Sequence, residues 1–572
     1  MHEARTSPRH RAAAGQGRPA AAQAGSQPTS SARNWRGGAA WTAAGVVLYA
    51  ILLQISYGGR IDSDGANSAL QAWDLIHGHL LLRGWDFGDA TFYTFELPVN
   101  GVAQLIFGLG PRAAHVASAL VFFAIAACAV ALAVTGARGS ARAARAAVVV
   151  AVMAPPLLAI LTVWTLIEEP DHPGTSVFLL VSALLIDRFA DRASGGSPSR
   201  WWLAPVVCVV LAAGQMGDAT ALYVGVPAVI LASGYQILAR RDVSWLRRAR
   251  SADGALILAA VVSVPLEKAV RIVMTSLGGY QMVAPKTALA SPGQWPRNVV
   301  VVFGALRSLF GAVSTPGMRL GVAGTTLGWA GLVAAIGGTV WVGVRWKRSS
   351  RAEQVVALVL LLNLAVYVVS KGAQADGYRE IAAVLPCGAV LGARTIVPAV
   401  ISDTRKALAV AVAAVLVAVV PLSGAASRPH VGPALGPAPG DGASAPTAPL
   451  TSWLEAHGIT YALSGYWSAS VVTLQSGGRV QVRAITLVPG PHGYAIQVPY
   501  WEANSTWYDA SQHDARYVIA QATGRWSPHT YEAFFGAPVA SYRVSGFVVL
   551  EYPGNLLTRV LPMLGLGVGP KS

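Results

Sequence analysis

About eleven apolar stretches, each close to the roughly 20 residues a helix needs to cross a bilayer, divide this chain. They run 38–57, 113–135, 145–165, 174–190, 201–215, 219–238, 253–275, 320–343, 354–371, 381–397 and 407–426. An odd number of spans places the two termini on opposite sides of a membrane. Composition agrees: soluble domains are about 25% charged, whereas here 12% of 572 residues are charged and 53% are hydrophobic.

The loops between the spans alternate in charge. With the N-terminus inside, the inner segments carry Arg5, Arg9, Arg11, Arg18, Arg33 and Arg36, then Arg138, Arg142 and Arg145, then Arg188, Arg192 and Arg200. Later inner loops hold Arg240, Arg241, Arg247, Arg248 and Arg250, then Arg345, Lys347, Arg348 and Arg351, then Arg394, Arg405 and Lys406. The acids gather on the other side: Asp62 to Glu96, Glu168, Glu169 and Asp171, Asp218, then Asp376 and Glu380. One missed span would invert every later loop, so the alternation supports the whole topology. It also turns the formal charge of +16 into a topology signal and argues against a nucleic-acid partner. Cys128, Cys208 and Cys387 fall in apolar runs without metal or disulfide spacing.

The expected organisation follows. Residues 1–37 read as a disordered basic cytoplasmic tail, and the first apolar run as a start-transfer anchor rather than a cleaved signal. Residues 38–427 form the transmembrane domain, with long outer loops at 58–112 and 276–318. In the first loop Ala66, Ala69, Leu70, Trp73, Ile76 and Leu80 recur at helical spacing, which predicts a helix on the membrane surface. VVVVFGALRSLFGA predicts a second interfacial helix, and Val99–Leu109 is apolar but too short to span. Residues 428–449 are a Pro/Gly/Ala linker, 450–553 an extracytoplasmic α+β domain and 554–572 a tail. Within that domain SWLEAHGI and SPHTYEAFFG read as short helices, RYVIAQA and SYRVSGFVVLEYP as strands, and YALSGYWSASVVTLQSGGRVQVRAI as a two-stranded hairpin turning at Ser-Gly-Gly. The fold class is therefore an α-helical polytopic membrane protein with a small α+β C-terminal domain, in the plasma membrane with the N-terminus cytoplasmic.

Chemistry concentrates where the chain leaves the membrane. Asp62-Ser63-Asp64 follows the first span at once. Two carboxylates at that spacing can share a cation, act on an acceptor hydroxyl, or cap the helix that follows. EEPDHPGT, Glu168 to Thr175, offers Asp171 and His172 as candidate metal ligands, or a solvated turn. Arg379, read as opening the helix REIAAVLP, and Lys371 are candidates for a phosphate contact. Arg271 is a third, unless it simply pairs with Glu267 four residues earlier. In the first loop Asp86, Glu96, Trp85 and Tyr93 could contact a sugar or acceptor, though such aromatics also serve as interfacial anchors. Asp218 stays unassigned, and YWEANSTWYDASQHD is either a carbohydrate surface or a packed loop.

SDGANSALQAWDLIHGHLLLRGWDFGDATFYTFELP, EEPDHPGTSVFLLVSALLIDR and DGYREIAAVLPCGAVLGAR resemble an actinobacterial membrane-protein group related to the type C (GT-C) glycosyltransferase fold. An apolar first helix, an acidic motif, an interfacial helix and a second short element before the next span are also similar to that superfamily, over most of residues 38–400. It includes the protein mannosyltransferases and the aminoarabinose transferases of lipid A. The resemblance implies a bilayer-embedded enzyme that takes a sugar from a polyprenyl-phosphate donor and passes it, with inversion, to an extracytoplasmic cell-envelope acceptor. It implies Asp64 or Asp62 as the catalytic carboxylate. The mannosyltransferases carry adjacent Asp-Glu, whereas Ser63 splits the pair here and leaves both open. In oligosaccharyltransferases of this fold an acidic motif in the loop of Asp171 and His172 helps bind metal, which implies a divalent cation, Mg or Mn, as candidate cofactor. Two alternatives stand beside this reading. One is a non-catalytic GT-C-like envelope-assembly or binding protein. The other is a lipid or solute transporter, which would place acids and broken helices at mid-membrane in inverted repeats.

Overall fold

A computed structural model describes residues 30–59, 61–158, 162, 166–167, 172–193, 202–239, 251–282, 288–313, 321–373, 379–401, 403–427, 447–490, 493–499 and 501–560. The start of the basic tail, the acids at 168–171, the Arg-rich 240–250, Asp376, most of the linker and the last residues lie outside the described residues.

The helices, in chain order, are α1 (Ser30–Tyr57), α2 (Ser63–Ile76), α3 (Glu96–Phe107), α4 (Pro111–Ala133), α5 (Gly139–Met153), α6 (Thr175–Ala193) and α7 (Leu203–Gly217). They continue as α8 (Ala221–Ala239), α9 (Ala252–Ser276), α10 (Trp295–Leu309), α11 (Gly321–Val344), α12 (Arg351–Val369), α13 (Val384–Val400) and α14 (Thr404–Ala426). A helix thus stands at every apolar stretch, and among the described residues 7 are long and apolar enough to cross a membrane. Helices α7 and α13 are apolar but shorter; α6 and α9 carry charges such as Asp187 and Glu267. The chain is a multi-pass membrane protein with large hydrophobic side chains facing outward, as on α9, where Leu258, Ile272 and Val273 are exposed.

Two compact units divide the chain, Met1–Val47 and Leu48–Ser572. The described part of the first is the beginning of α1, with Trp41, Val46 and Val47 exposed. In the second, the helices share a core that includes Leu52, Phe122, Leu132, Leu157, Leu211, Phe310 and Leu385. Small residues bring backbones close: a Cβ on Gly338 of α11 would lie 2.7 Å from the Leu391 carbonyl carbon of α13, and one on Gly388 would lie 2.5 Å from the Ala335 Cβ. A buried ionic cluster ties four segments together. Arg394 of α13 reaches Glu353 of α12 at 2.9 Å, Asp187 of α6 at 3.8 Å, and the Thr135 hydroxyl at the end of α4 at 2.9 Å.

The C-terminal region adds α15 (Thr447–Ala456), α16 (Tyr466–Gln475) and α17 (Pro528–Phe535), and the strands β3 (Tyr461–Gly465), β4 (Gln481–Gly490), β5 (Gly493–Gln497), β7 (Tyr517–Gln521), β8 (Ala540–Val544) and β9 (Phe547–Glu551). Their sheet runs β5-β4-β3-β7-β9-β8. Strands β3 and β4 are parallel, joined through α16. The expected hairpin is therefore a β–α–β unit, since parallel neighbours require a crossover. The run YWSASVVTLQ lacks a one-sided apolar stripe because α16 is buried on nearly all sides. Its glycines close the helix instead of turning a hairpin: Gly477 and Gly478 have φ of 62° and 82°, and Gly478 N–H donates to the Thr473 carbonyl at 2.9 Å.

The apolar stripe of helix α2 is covered by protein. Its apolar positions Ala66 and Ala69 pack with Ile61, Ala114 of α4 and Val471 and Leu474 of α16, so the C-terminal domain covers it. A second small sheet joins the same parts. Strand β1 (Trp85–Phe87) pairs in parallel with β2 (Gln281–Met282) and antiparallel with β6 (Ala503–Asn504). Both long loops and the C-terminal domain meet in those three strands.

Candidate active site

The start of α2 sets the site. Asp62 is its N-cap, accepting from the Gly65 N–H at 3.0 Å, and is buried. Asp64 follows in the first turn, half-buried, where the helix dipole favours a carboxylate. The domain holds this turn from above. Ser63 donates to the Tyr466 carbonyl at 2.5 Å, and the Tyr466 hydroxyl donates to Asp64 Oδ1. The Asn67 amide donates to the Tyr466 oxygen at 3.3 Å, and Ser470 donates to Asn67 Oδ1.

Beside that turn lies a cavity of about 190 Å³. Asp64, Ser68 and Gln71 of α2 form one wall; Gly88, Asp89, Ala90 and Phe92 form a second; Arg379, Trp501 and Glu502 complete it. Glu502 has a left-handed backbone, φ 49°, and its carboxylate accepts from Gln71 Nε2 at 2.5 Å and from the Gly88 N–H at 3.4 Å. Among the described residues the cavity therefore presents three carboxylates, one guanidinium and an indole. Such a site can hold one anionic group at the guanidinium and accept hydroxyl hydrogens elsewhere.

A second buried centre adjoins the first. Asp218 at the end of α7 accepts from Thr175 Oγ1 at 2.7 Å and from the Thr220 N–H at 2.7 Å, and faces His172 Nδ1 at 3.0 Å. Burial works to raise the Asp218 carboxyl, but the His172 charge and these hydrogen bonds together hold it below the usual value. Ala90 bridges to Asp218 in the backbone, linking this centre to the cavity wall. Glu380 is raised, foremost by burial, with His172 and Arg379 opposing and Asp89 adding to the shift.

The residues singled out in the sequence separate clearly. Asp64 and Arg379 line the cavity together. Asp62 caps the helix beneath it. Arg379 sits in a turn before α13, which begins at Val384, so the expected helix start at Arg379 is five residues early. Lys371 is exposed and outside the lining, its backbone N–H bound to the Ala288 carbonyl at 2.9 Å. Arg271 bonds Glu267 Oε1 through Nε at 2.6 Å and also contacts Met282 Sδ. Trp85 is a core side chain, 1% exposed, donating to Asp74 Oδ2 at 2.8 Å and packing edge-on against Trp507. Tyr93 donates to the Leu80 carbonyl at 2.5 Å. Asp86 lies in the middle strand of the junction sheet, where burial pushes its carboxyl up to about 6. Glu96 opens α3 with its carboxylate packed against Gly174. His172 is engaged with Asp218, Asp171 is outside the described residues, and among the described residues no three His, Cys, Asp or Glu side chains gather to hold a metal ion.

Local sequence does not mark Tyr466, Trp501, Glu502, Gln71 or Asp89 individually as site residues. The stretch YWEANSTWYDASQHD does contain Trp501 and Glu502, but nothing local announces that Glu502 meets a glutamine 431 residues away.

No family model matches the sequence, and no curated protein matches it. Solved structures do. The crystal structure of ArnT from Cupriavidus metallidurans in the apo state is similar with TM-score 0.51 at 12% identity, over 92% of this chain and 100% of that one. ArnT from Cupriavidus metallidurans bound to undecaprenyl phosphate is similar with TM-score 0.52 at 11% identity, over 91% and 99%. The likeness spans both the helix bundle and the β-containing C-terminal region: the chain has the type C glycosyltransferase fold.

Proposed function

We propose that this protein is a membrane glycosyltransferase that moves a sugar from a polyprenyl-phosphate donor to an extracytoplasmic cell-envelope acceptor. The observation that carries the reading is the pairing, in one cavity of a GT-C fold, of the Asp64 carboxylate with the Arg379 guanidinium. A neighbour of that fold is bound to undecaprenyl phosphate.

The chemistry needs those two charges on opposite sides of the anomeric carbon. Asp64 accepts the proton of an acceptor hydroxyl as its oxygen attacks. The bond from the anomeric carbon to the phosphate oxygen breaks, and Arg379 meets the charge of the departing phosphate. Attack opposite the leaving group inverts the anomeric centre. Asp62 fixes the turn that carries Asp64, while Asp89, Glu502 and Trp501 face the acceptor. The charge alternation of the loops supports an N-terminus in the cytoplasm and a cavity on the outer side.

The test is transfer by purified protein in lipid nanodiscs, offered radiolabelled sugars linked to undecaprenyl phosphate and a cell-envelope fraction. Asp64→Asn lowers transfer at least about a hundredfold, and Arg379→Gln lowers it while leaving the fold intact. Failure to use any donor in the panel would favour the non-catalytic alternative. Reporter fusions at the two ends check the orientation.

A further inference from the structure

We propose that the C-terminal domain supplies a positioning residue to this site: Tyr466 orients Asp64, so the reactive carboxylate is assembled from the helix bundle and the domain together. The inference rests on the reading of Asp64 as the base.

Geometry carries it. A phenol has one hydrogen to donate. The Asn67 amide donates into the Tyr466 oxygen, so that hydrogen points away from Asn67, and it lands on Asp64 Oδ1. Asn67 is itself held by the Ser470 hydroxyl of the same domain helix. The ring is nearly buried between Trp467 and Trp501, with centroids at 5.2 and 5.9 Å, and Ser63 bonds the Tyr466 carbonyl. Anchoring Oδ1 fixes the rotation of the carboxylate relative to the cavity, which is how a base gains orientation before substrate arrives. The hydroxyl is a durable donor, because burial and the charges of Asp64, Glu502 and Asp62 hold its pKa well above that of an ordinary tyrosine. The other charged groups lining the cavity with Asp64 are Asp89 and Arg379.

A donated hydrogen bond stabilises the ionised carboxylate, so its loss makes Asp64 harder to ionise. The experiment uses the full chain in nanodiscs and needs no substrate. Asp64 is labelled with a water-soluble carbodiimide, which reacts with the protonated acid, across a pH series, and the modified peptide is quantified by mass spectrometry. Tyr466→Phe moves the labelling midpoint upward by about one pH unit. A 3-fluorotyrosine at position 466, a stronger donor of the same shape, moves it downward. In transfer assays the acidic limb of the kcat profile shifts with the midpoint, kcat falls about tenfold at neutral pH, and KM for the donor stays within about twofold. Midpoints unmoved in both variants overturn the positioning role. So does a moved midpoint with kcat unchanged. Transfer that survives Asp64→Asn overturns the base reading itself, a result distinct from an unmoved Tyr466→Phe midpoint.

Discussion

Replacing Gly84 with alanine tests whether the junction sheet holds the C-terminal domain on the first loop. Gly84 has φ +81°, a region that costs an L-residue about 1–2 kcal/mol. A Cβ there would stand 2.6 Å from Asn504 Oδ1 and 3.1 Å from Ser505 Oγ. Asn504 cannot yield freely. Its Oδ1 accepts from the Thr506 N–H at 3.0 Å and the Thr506 hydroxyl at 2.8 Å, and its Nδ2 reaches the Arg83 carbonyl at 3.4 Å. Swinging it aside loses two good hydrogen bonds, at about 1 kcal/mol each. Gly78 is the matched control: its φ is +92°, with no atom within 4 Å of an added Cβ. Gly78→Ala therefore meets only the backbone cost, and Gly84→Ala exceeds it by about 2 kcal/mol, a factor of roughly 30 in opening. Hydrogen exchange reads this directly, because the Ser505 N–H donates to the Gly84 carbonyl at 2.7 Å. Protection of Ser505 and of β6 falls about thirtyfold further in Gly84→Ala than in Gly78→Ala. Equal protection in the two variants would show that the contact with Asn504 does not hold the domain in place.

Three further outcomes are expected. Asp62→Ala removes the cap on the Gly65 N–H and destabilises the protein by about 1 kcal/mol, with Asp62→Asn restoring most of it; thermal unfolding in nanodiscs checks the order. Asp86 has a folded pKa of about 6 against an ordinary 3.8, raised by burial. Its contribution to stability is therefore complete below about pH 4 and is lost as pH rises through 6. Because Asp86 is only half-buried, solvent screening reduces the roughly 3 kcal/mol implied by the shift to about 1. Asp86→Asn should match the wild type near pH 4 and unfold at a higher temperature above pH 7; a constant difference across that range would contradict the assignment. Arg394→Gln takes the guanidinium away from Glu353 and Asp187 and costs about 3 kcal/mol, measured by chemical unfolding, with Glu353→Gln recovering part of the loss in the double variant.

How much of this was legible depends on the range of the forces involved. Helices appear at each apolar stretch because a lipid-facing segment must satisfy its own backbone, and that constraint is written into every 20 residues. The acidic start of α2 was legible for the same reason, since capping is a local interaction between Asp62 and Gly65. The seat of α2 was not. Small residues such as Ala66 and Ala69 give an apolar stripe that lipid or protein can cover, and only tertiary structure chooses Val471 and Leu474. In α16 the β-branched run pointed to a strand because full burial erases helical periodicity. Asp64 and Arg379 could be proposed one at a time from charge lying against the hydrocarbon boundary. Their meeting in one cavity is a tertiary fact, and the Trp501 and Glu502 that complete it arrive from a domain beyond the linker.

That dependence has a physical consequence for the site. Strands β1, β2 and β6 have 3, 2 and 2 residues, far below what an isolated sheet needs to persist in water. The sheet is held by what flanks it: Trp85 and Trp507 in edge contact at 4.8 Å, and Phe87 against Tyr280 at 5.0 Å. The cavity begins one residue beyond each end of this pairing, at Gly88 after β1 and at Glu502 before β6. A shift of one residue in the β1–β6 register would reverse the side chains across the sheet and carry Glu502 away from Gln71. The aromatic contacts thus set the registry of the carboxylates, although neither Trp85 nor Phe87 lines the cavity. Substitutions that shrink this aromatic packing should act as a group, lowering the occupancy of the assembled cavity without altering any group in it, and should leave the pH dependence of the remaining activity unchanged.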